Sequence, residues 1–368
     1  MTKPYRVLSI DGGGIRGLYS ACVLHGLAQR VARTNCNATE NNLDVGGAFD
    51  MLVGTSTGAI LATALSAGKS LEEVIALYKF KAKDIFPSPV PTNTSKIALV
   101  SWMLRHMSRP SGSAEKLKEE LVKVLGSETV AEMYNRRKIA LCIPTIDAET
   151  QKAWVYKTPH DHKTQRLQRD NNYQLVDLCM SSSAAPIVFP VHKVEDPNSA
   201  THNYNWFVDG GLWANNPIMV ALVEALTFAP DDSPIEIISI STCPPFKAPP
   251  LNSNDAHRGI KDWKAGLGMM EIGLDAQSSA YSYMAKALTD NLGDRVKYVR
   301  LSDPLVDENI SHQLTLDNPS PSAIEALVKL ASRAVDLNIS EATTGEKSKS
   351  LIMDVFSNLN TITNKPTK

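Results

Sequence analysis

The stretch Ala48-Phe49-Asp50-Met51-Leu52-Val53-Gly54-Thr55-Ser56-Thr57-Gly58 reads as a short apolar strand that meets a glycine-bounded turn and continues into a helix. The helix is built of small residues, runs from Thr57 to Ala67 and stops at Gly68. The chain begins with a unit of the same kind. Arg6-Val7-Leu8-Ser9-Ile10 is a strand and Asp11-Gly12-Gly13-Gly14 a turn; Gly17 to Val31 is a helix with apolar residues at Leu18, Ala21, Cys22, Leu24, Leu27, Ala28 and Val31. Two such units in succession predict an α/β fold, with a parallel sheet and helices on its faces.

Further along, Ile139 to Pro144 reads as a buried strand with Trp154-Val155-Tyr156 pairing near it. A helix is expected over Leu175 to Ser183, a strand over Trp206-Phe207-Val208, and a helix from Pro217, where a missing N–H costs least, to Phe228. Ile235 to Ile240 is the next strand, residues 262–292 look largely helical, and Val296 to Leu301 looks like a last strand. After Pro304 the pattern changes. Ser322-Ala323-Ile324-Glu325 has capping-box spacing, and Ile324, Leu327, Leu330, Ala331, Ala334 and Leu337 recur at helical intervals. The expected division is a main domain over residues 1–303 and a C-terminal helical appendage over 304–368.

Composition narrows the function. The 368 residues are 43% hydrophobic and 21% charged, ordinary for a globular protein. With 38 Lys+Arg against 39 Asp+Glu the net charge is −1, so a nucleic-acid polymer is not an expected partner. Five cysteines, at 22, 36, 142, 179 and 243, include no C-x-x-C, which implies neither a disulfide framework nor a zinc cluster and suits a reducing, cytoplasmic setting. No apolar run approaches the roughly 18 residues that span a bilayer, and no export signal opens the chain. Membrane contact is expected only from the surface.

Three motifs carry chemistry. Gly54-Thr55-Ser56-Thr57-Gly58 matches G-x-S-x-G in the strand-to-helix context of a nucleophile elbow. Gly54 and Gly58 allow the tight turn, and the Ser56 hydroxyl stands beside a helix N-terminus that favours developing negative charge. The plain alternative is a turn without chemistry. Gly12, Gly13 and Gly14 ahead of a helix expose backbone N–H groups in one concavity, a nest for an anion. That nest reads as an oxyanion hole or as a dinucleotide loop, because Gly12, Gly14 and Gly17 also match G-x-G-x-x-G. The second reading needs an acidic residue at the end of another strand about twenty positions on. Glu40 follows no strand.

Asp209-Gly210-Gly211 comes straight after an apolar strand; its bland reading is a turn-forming Asp-Gly. A serine nucleophile needs a base. The order Ser…Asp…His would require His257 or His312, and neither is framed by a strand end. His160, His162, His192 and His202 precede Asp209 and read as surface residues. The other arrangement is a dyad in which Asp209, made more basic by burial, takes the Ser56 proton directly.

Asp11-Gly-Gly-Gly-Ile-Arg-Gly17, Gly54-Thr-Ser-Thr-Gly58 and Asp209-Gly-Gly211, in this order, resemble the motifs of the patatin-like phospholipases. Cys142-Ile-Pro-Thr145, Ser182-Ser-Ala-Ala-Pro186 and Asn215-Asn-Pro217 are similar to the family as well, and the resemblance covers about residues 5–300. It implies a three-layer α/β/α sandwich and a lipid acyl hydrolase of phospholipase A type. Ser56 would be the nucleophile, Asp209 the base, Gly12, Gly13 and Gly14 the oxyanion donors, and Arg16 a positioner of the loop or of an anionic substrate. The histidine question then resolves in favour of the dyad. Expected substrates are membrane phospholipids or galactolipids, and the mechanism requires no cofactor and no metal. The alternative is a storage or binding protein of the same fold with little turnover.

Residues 96–106, Lys96-Ile97-Ala98-Leu99-Val100-Ser101-Trp102-Met103-Leu104-Arg105-His106, form an apolar run with cationic ends, which suits a lid or a segment lying on the inner membrane face. An ordinary packing helix is the equal alternative. Bacterial patatin-like proteins include effectors switched on by cyclic nucleotides in antiviral defence, and this chain looks similar in size and layout. A cyclic-nucleotide activator is therefore an expected partner, with the C-terminal helices capping the site, binding that regulator or forming a homodimer.

Overall fold

The computed structural model describes residues 2–35, 42–91, 96–161, 163–201, 203–243, 267–344 and 350–362. The first part contains β1 (Tyr5–Ile10), α1 (Gly17–Asn35), β2 (Met51–Gly54), α2 (Thr57–Ser66), α3 (Leu71–Ile85), α4 (Lys96–Arg105), α5 (Ala114–Leu125) and α6 (Val130–Arg137). The middle contains β3 (Ala140–Asp147), β4 (Lys152–Lys157), α7 (Leu175–Ser182), β5 (His192–Glu195), β6 (Tyr204–Asp209), α8 (Gly211–Ala214), α9 (Ile218–Phe228) and β7 (Ile235–Ile240). The last part contains α10 (Leu267–Leu292), β8 (Val296–Arg300), α11 (Glu308–Ser311), α12 (Pro321–Thr344) and α13 (Ser350–Phe356).

The strands make one sheet in the order β5-β6-β3-β2-β1-β7-β8, with β4 also on β3. Pairing is parallel from β3 through β2, β1 and β7 to β8, and antiparallel for β4, β5 and β6. Alternate strand residues point to opposite faces. Leu8, Ile10, Leu52 and Ile238 join one core with α1, α2, α3, α7 and α12, while Val7, Met51, Val53 and Ile237 join a second with α9 and α10. The result is a three-layer α/β/α sandwich. Helix α12 lies along α1 and sends Leu327, Leu330 and Ala334 into the first of these cores.

The register of β3 decides where the site forms. A strand has two edges, and β4 occupies one of them over Cys142–Asp147. The other edge is shared by β2, over Ala140–Cys142, and by antiparallel β6, over Thr145–Asp147. Where β2 stops, β6 takes its place coming from the opposite direction. Their C-terminal ends, Gly54 and Asp209, therefore approach one another head to head.

Some local expectations shift. Helix α12 begins before the Ser322 capping box: the Ala323 N–H donates to Ser320 Oγ at 3.3 Å, and Pro321 occupies the first turn, where its missing N–H costs little. The run 96–106 is a helix over α4, but Trp102 faces inward at 6% exposure, with Nε1 donating to Ser88 O at 3.0 Å, whereas Leu104 is 63% exposed. Most of the expected loop Thr34 to Asn42 and the Pro-rich turn after Ser241 to Cys243 lie outside the described residues. Among the described residues, no helix is long and apolar enough to cross a membrane.

Candidate active site

Strand β2 ends at Gly54 and α2 starts at Thr57, so Ser56 has to turn the chain in one step. It does so at φ 54°, ψ −120°, a conformation that non-glycine residues rarely adopt and that costs about 1–3 kcal/mol. The flanking glycines are required by contact. A Cβ on Gly54 would sit 2.1 Å from Gly58 O, and one on Gly58 would sit 2.3 Å from Ile10 O. The elbow is pinned from outside as well. Ser56 N–H donates to Ser182 Oγ at 2.8 Å, Ser182 Oγ donates to Pro144 O at 2.6 Å, and Thr55 Oγ1 donates to Ala214 O at 2.6 Å.

The Ser56 hydroxyl donates to Asp209 Oδ2 at 2.8 Å. Asp209 is 6% exposed, and its other oxygen accepts the Gly211 N–H at 2.6 Å. Burial pushes its carboxyl up to about 6, against the opposing pull of the Gly211 N–H and the Ser56 hydroxyl. A carboxylate titrating there is a far better proton acceptor near neutrality than one near its ordinary value.

The glycine loop lies against this pair: a Cβ on Gly12 would be 3.4 Å from Ser56 Cβ. Its N–H groups are unequally committed. Gly12, expected among the oxyanion donors, already donates to Asn215 O at 2.8 Å, and Ile15 donates to Leu316 O at 2.8 Å. Arg16 N–H donates to Gly13 O at 3.1 Å. Gly13 and Gly14 N–H groups have no acceptor among the described residues, and both residues line the cavity that holds Ser56 and Asp209. Gly14 needs to be glycine, with φ +56° and Leu316 O only 2.0 Å from where a Cβ would stand. Below the loop, Arg300 Nη1 donates to Asp11 Oδ1 at 2.9 Å and to Ser239 Oγ at 2.7 Å. Burial raises the carboxyl of Asp275 on α10, and the charge of Arg16 opposes the rise.

The cavity measures about 800 Å³ counting its open mouth. Away from Ser56 and Asp209 its walls are largely hydrocarbon, including Ile60, Leu77, Phe86, Leu117, Val188 and Phe189. Leu212 lines it and is 46% exposed, so the mouth has an apolar lip.

Among the described residues, no histidine takes part here. None bonds to Ser56 or Asp209. His312 is exposed, and His162, His202 and His257 lie outside the described residues. His192 stands 3.8 Å from Asp177. His160, expected at the surface, is 4% exposed and packs edge-on against Phe228 of α9. Arg300 and Leu316 escape a reading of the motifs, because no local pattern marks a residue that reaches the glycine loop across hundreds of positions.

A profile of the patatin-like phospholipase family matches residues 8–222. A cGAMP-activated phospholipase of Escherichia coli (strain TW11681) is 30% identical over 333 residues, covering 88% of this chain and 86% of that protein. Another of that description, from Vibrio cholerae serotype O1, is 30% identical over 354 residues, covering 92% and 91%. Patatin-like protein 1 of Arabidopsis thaliana is 24% identical over 362 residues, covering 90% and 83%. The matched span opens in β1 and closes in α9, enclosing the elbow, the glycine loop and Asp209, and the chain belongs to the patatin-like phospholipase family.

Proposed function

We propose that the protein hydrolyses fatty-acyl esters of membrane phospholipids or galactolipids through a Ser56–Asp209 dyad. The observation that carries this reading is the 2.8 Å hydrogen bond from Ser56 Oγ to the buried Asp209 carboxylate. Asp209 accepts the Ser56 proton as Oγ attacks the ester carbonyl. The oxyanion forms against the Gly13 and Gly14 N–H groups, which have no acceptor among the described residues and line the same cavity. The proton passes from Asp209 to the departing lysolipid oxygen, leaving an acyl-serine. Water attacks that ester and gives a proton to Asp209; the bond from the acyl carbon to Ser56 Oγ breaks, Asp209 returns the proton to Oγ, and the fatty acid leaves. The hydrocarbon walls hold the acyl chain, since burying each CH₂ contributes about 0.8 kcal/mol. This reading sets aside a storage protein of the same fold, because the reacting pair is assembled.

Mass analysis of fatty acids released from phospholipid vesicles tests it: release by the wild type and none by Ser56→Ala or Asp209→Asn is expected. Equal release by both variants contradicts it. The exposed side of α4 and the Leu212 lip would rest on the bilayer. Leu104→Glu should cut hydrolysis of vesicles several-fold while sparing a soluble short-chain ester; equal loss on both would remove the membrane contact.

A second reading concerns control. Two relatives that match about nine-tenths of the chain are described as cGAMP-activated phospholipases. We read this protein too as an effector in antiviral defence, cytoplasmic and at rest until a cyclic nucleotide binds, with residues 304–368 as the helical appendage through which it is switched. Vesicle hydrolysis with and without cGAMP decides the matter: stimulation supports the switch, and an unchanged rate refutes it for that nucleotide.

A further inference from the structure

On the opposite face of the sheet from α2, three buried side chains of different elements converge. The β3–β4 register sets Cys142 opposite Lys157, so the two share a face, which α9 covers. The turn after β4 then brings His160 back, and α9 contributes Glu224. Cys142 is 0%, His160 4% and Glu224 7% exposed. One donor atom from each, Cys142 Sγ, a ring nitrogen of His160 and a carboxylate oxygen of Glu224, lies within 4.8 Å of the other two.

The remaining atoms of these groups are already held. His160 Nδ1 is hydrogen-bonded to Thr158 Oγ1 at 2.9 Å, and Thr158 Oγ1 accepts the Leu141 N–H at 2.9 Å. Glu224 Oε1 accepts from Lys157 Nζ. That leaves His160 Nε2 and Glu224 Oε2, which face each other at 3.5 Å, an ion pair when the imidazole is protonated, and have no other partner among the described residues. Such a separation is long for a hydrogen bond but suits two ligands of one ion. In a tetrahedral zinc site with bonds of about 2.0–2.3 Å, donor atoms stand roughly 3.3–3.8 Å apart. Buried ligand atoms that face each other at ligand–ligand distance, each oriented from behind by another group, are what a metal's outer shell produces.

We propose that Cys142, His160 and Glu224 bind a divalent transition-metal ion, with Zn²⁺ the best fit to one thiolate, one imidazole and one carboxylate. Binding exchanges the Cys142 S–H proton for the metal, so one proton is released per ion, and the thiolate and carboxylate together neutralise its charge. The Lys157 ammonium stays partly solvated, with its side chain 24% exposed. The ion would tie β3, the turn after β4 and α9 together, away from Ser56. It is structural and supplies nothing to acyl transfer.

Elemental analysis of the full-length protein, purified without chelator, should find about one zinc per chain, reduced to background in Cys142→Ser and in Glu224→Gln. After removal of the metal, Co²⁺ should give a thiolate-to-cobalt charge-transfer band in the wild type and none in Cys142→Ser. Chelation should lower the Tm of the wild type but not of Glu224→Gln. That variant keeps its volume, and its ester hydrolysis reports that it is folded. Protein that neither carries zinc nor takes up cobalt overturns the proposal. A cobalt band unchanged by Cys142→Ser overturns it too, because the metal then sits elsewhere.

Discussion

The turns that leave β1 and β2 are neighbours on one sheet, and both depend on glycine, yet they present opposite chemistry. After β2 the backbone is strained at Ser56, which brings its side-chain hydroxyl to Asp209, and Gly54 and Gly58 serve only to make room. After β1 no side chain of the three glycines exists to act. In the proposed reading the backbone itself is the reagent, through the Gly13 and Gly14 N–H groups. As proposed, one turn would offer the nucleophile and the other the anion site, and β6 brings Asp209 between them because it continues the edge of β3 that β2 vacates. A side chain can be deleted without moving the chain, whereas a backbone donor can be removed only by displacing it.

The elbow is the sharper place to break this contrast. Ser56→Ala and Asp209→Asn should each lower turnover of a p-nitrophenyl ester by about 10⁴-fold or more, with the double variant hardly worse, since the pair acts as a unit. Ser56→Gly should be equally inactive but more stable in urea by about 1–3 kcal/mol, because glycine relieves the strained turn. No gain in stability would mean that the elbow stores no strain.

On the glycine loop the expected effect is smaller. Gly14→Ala forces the loop away from Leu316 O and should reduce kcat by about 10²–10³-fold, with little change in KM. Wild-type kcat in that variant would take the oxyanion role away from the loop.

Titration separates the base from both turns. With Asp209 at about 6, kcat/KM should rise with pH and reach half its plateau near that value. Stability runs the other way. The folded value lies above the unfolded 3.8, so the native state holds the proton more tightly between about pH 4 and 6. The protein forfeits about 3 kcal/mol as pH rises through that window. Asp209→Asn should therefore be more stable than wild type at pH 7, and the difference should vanish below about pH 4. Equal stability at pH 7 would show that the carboxylate is solvated.

The smallest effects come from the hydroxyls that brace each turn. Thr55→Val removes the bond to Ala214 O, and Thr242→Val removes the 2.7 Å bond to Gly12 O. Each should lower stability by about 1 kcal/mol. Thr242→Val should reduce kcat by a few-fold, because it loosens the donors themselves; an equal reduction in both variants would blur the contrast.

The parts of the fold legible in the sequence are those whose cause is local. Gly54 is dictated by a contact inside its own turn, with Gly58 O, and β1, β2 and β7 are apolar runs bounded by turn residues; Gly12, Gly13 and Gly14 read as turn residues, although the atoms that leave them no room for a Cβ belong to Asn215, Thr242 and Leu316. What stayed hidden depends on partners distant along the chain. That Gly12 spends its N–H on Asn215 follows from where α8 ends, and that Arg300 holds Asp11 follows from β8 pairing at the far side of β7. Periodicity on α4 does not reveal that Trp102 turns inward toward Ser88. Likewise His160 and Glu224 come to Cys142 only through the β3–β4 register and the seating of α9, which cysteine spacing cannot show.

The central claim is that Ser56 attacks because Asp209 takes its proton. The direct measurement is mass-spectrometric mapping of the protein after reaction with a serine-directed fluorophosphonate, in the wild type and in Asp209→Asn. The account predicts a single adduct on the peptide carrying Ser56, and labelling of Asp209→Asn slowed by orders of magnitude. An adduct on another serine, or unchanged labelling of Asp209→Asn, would contradict it.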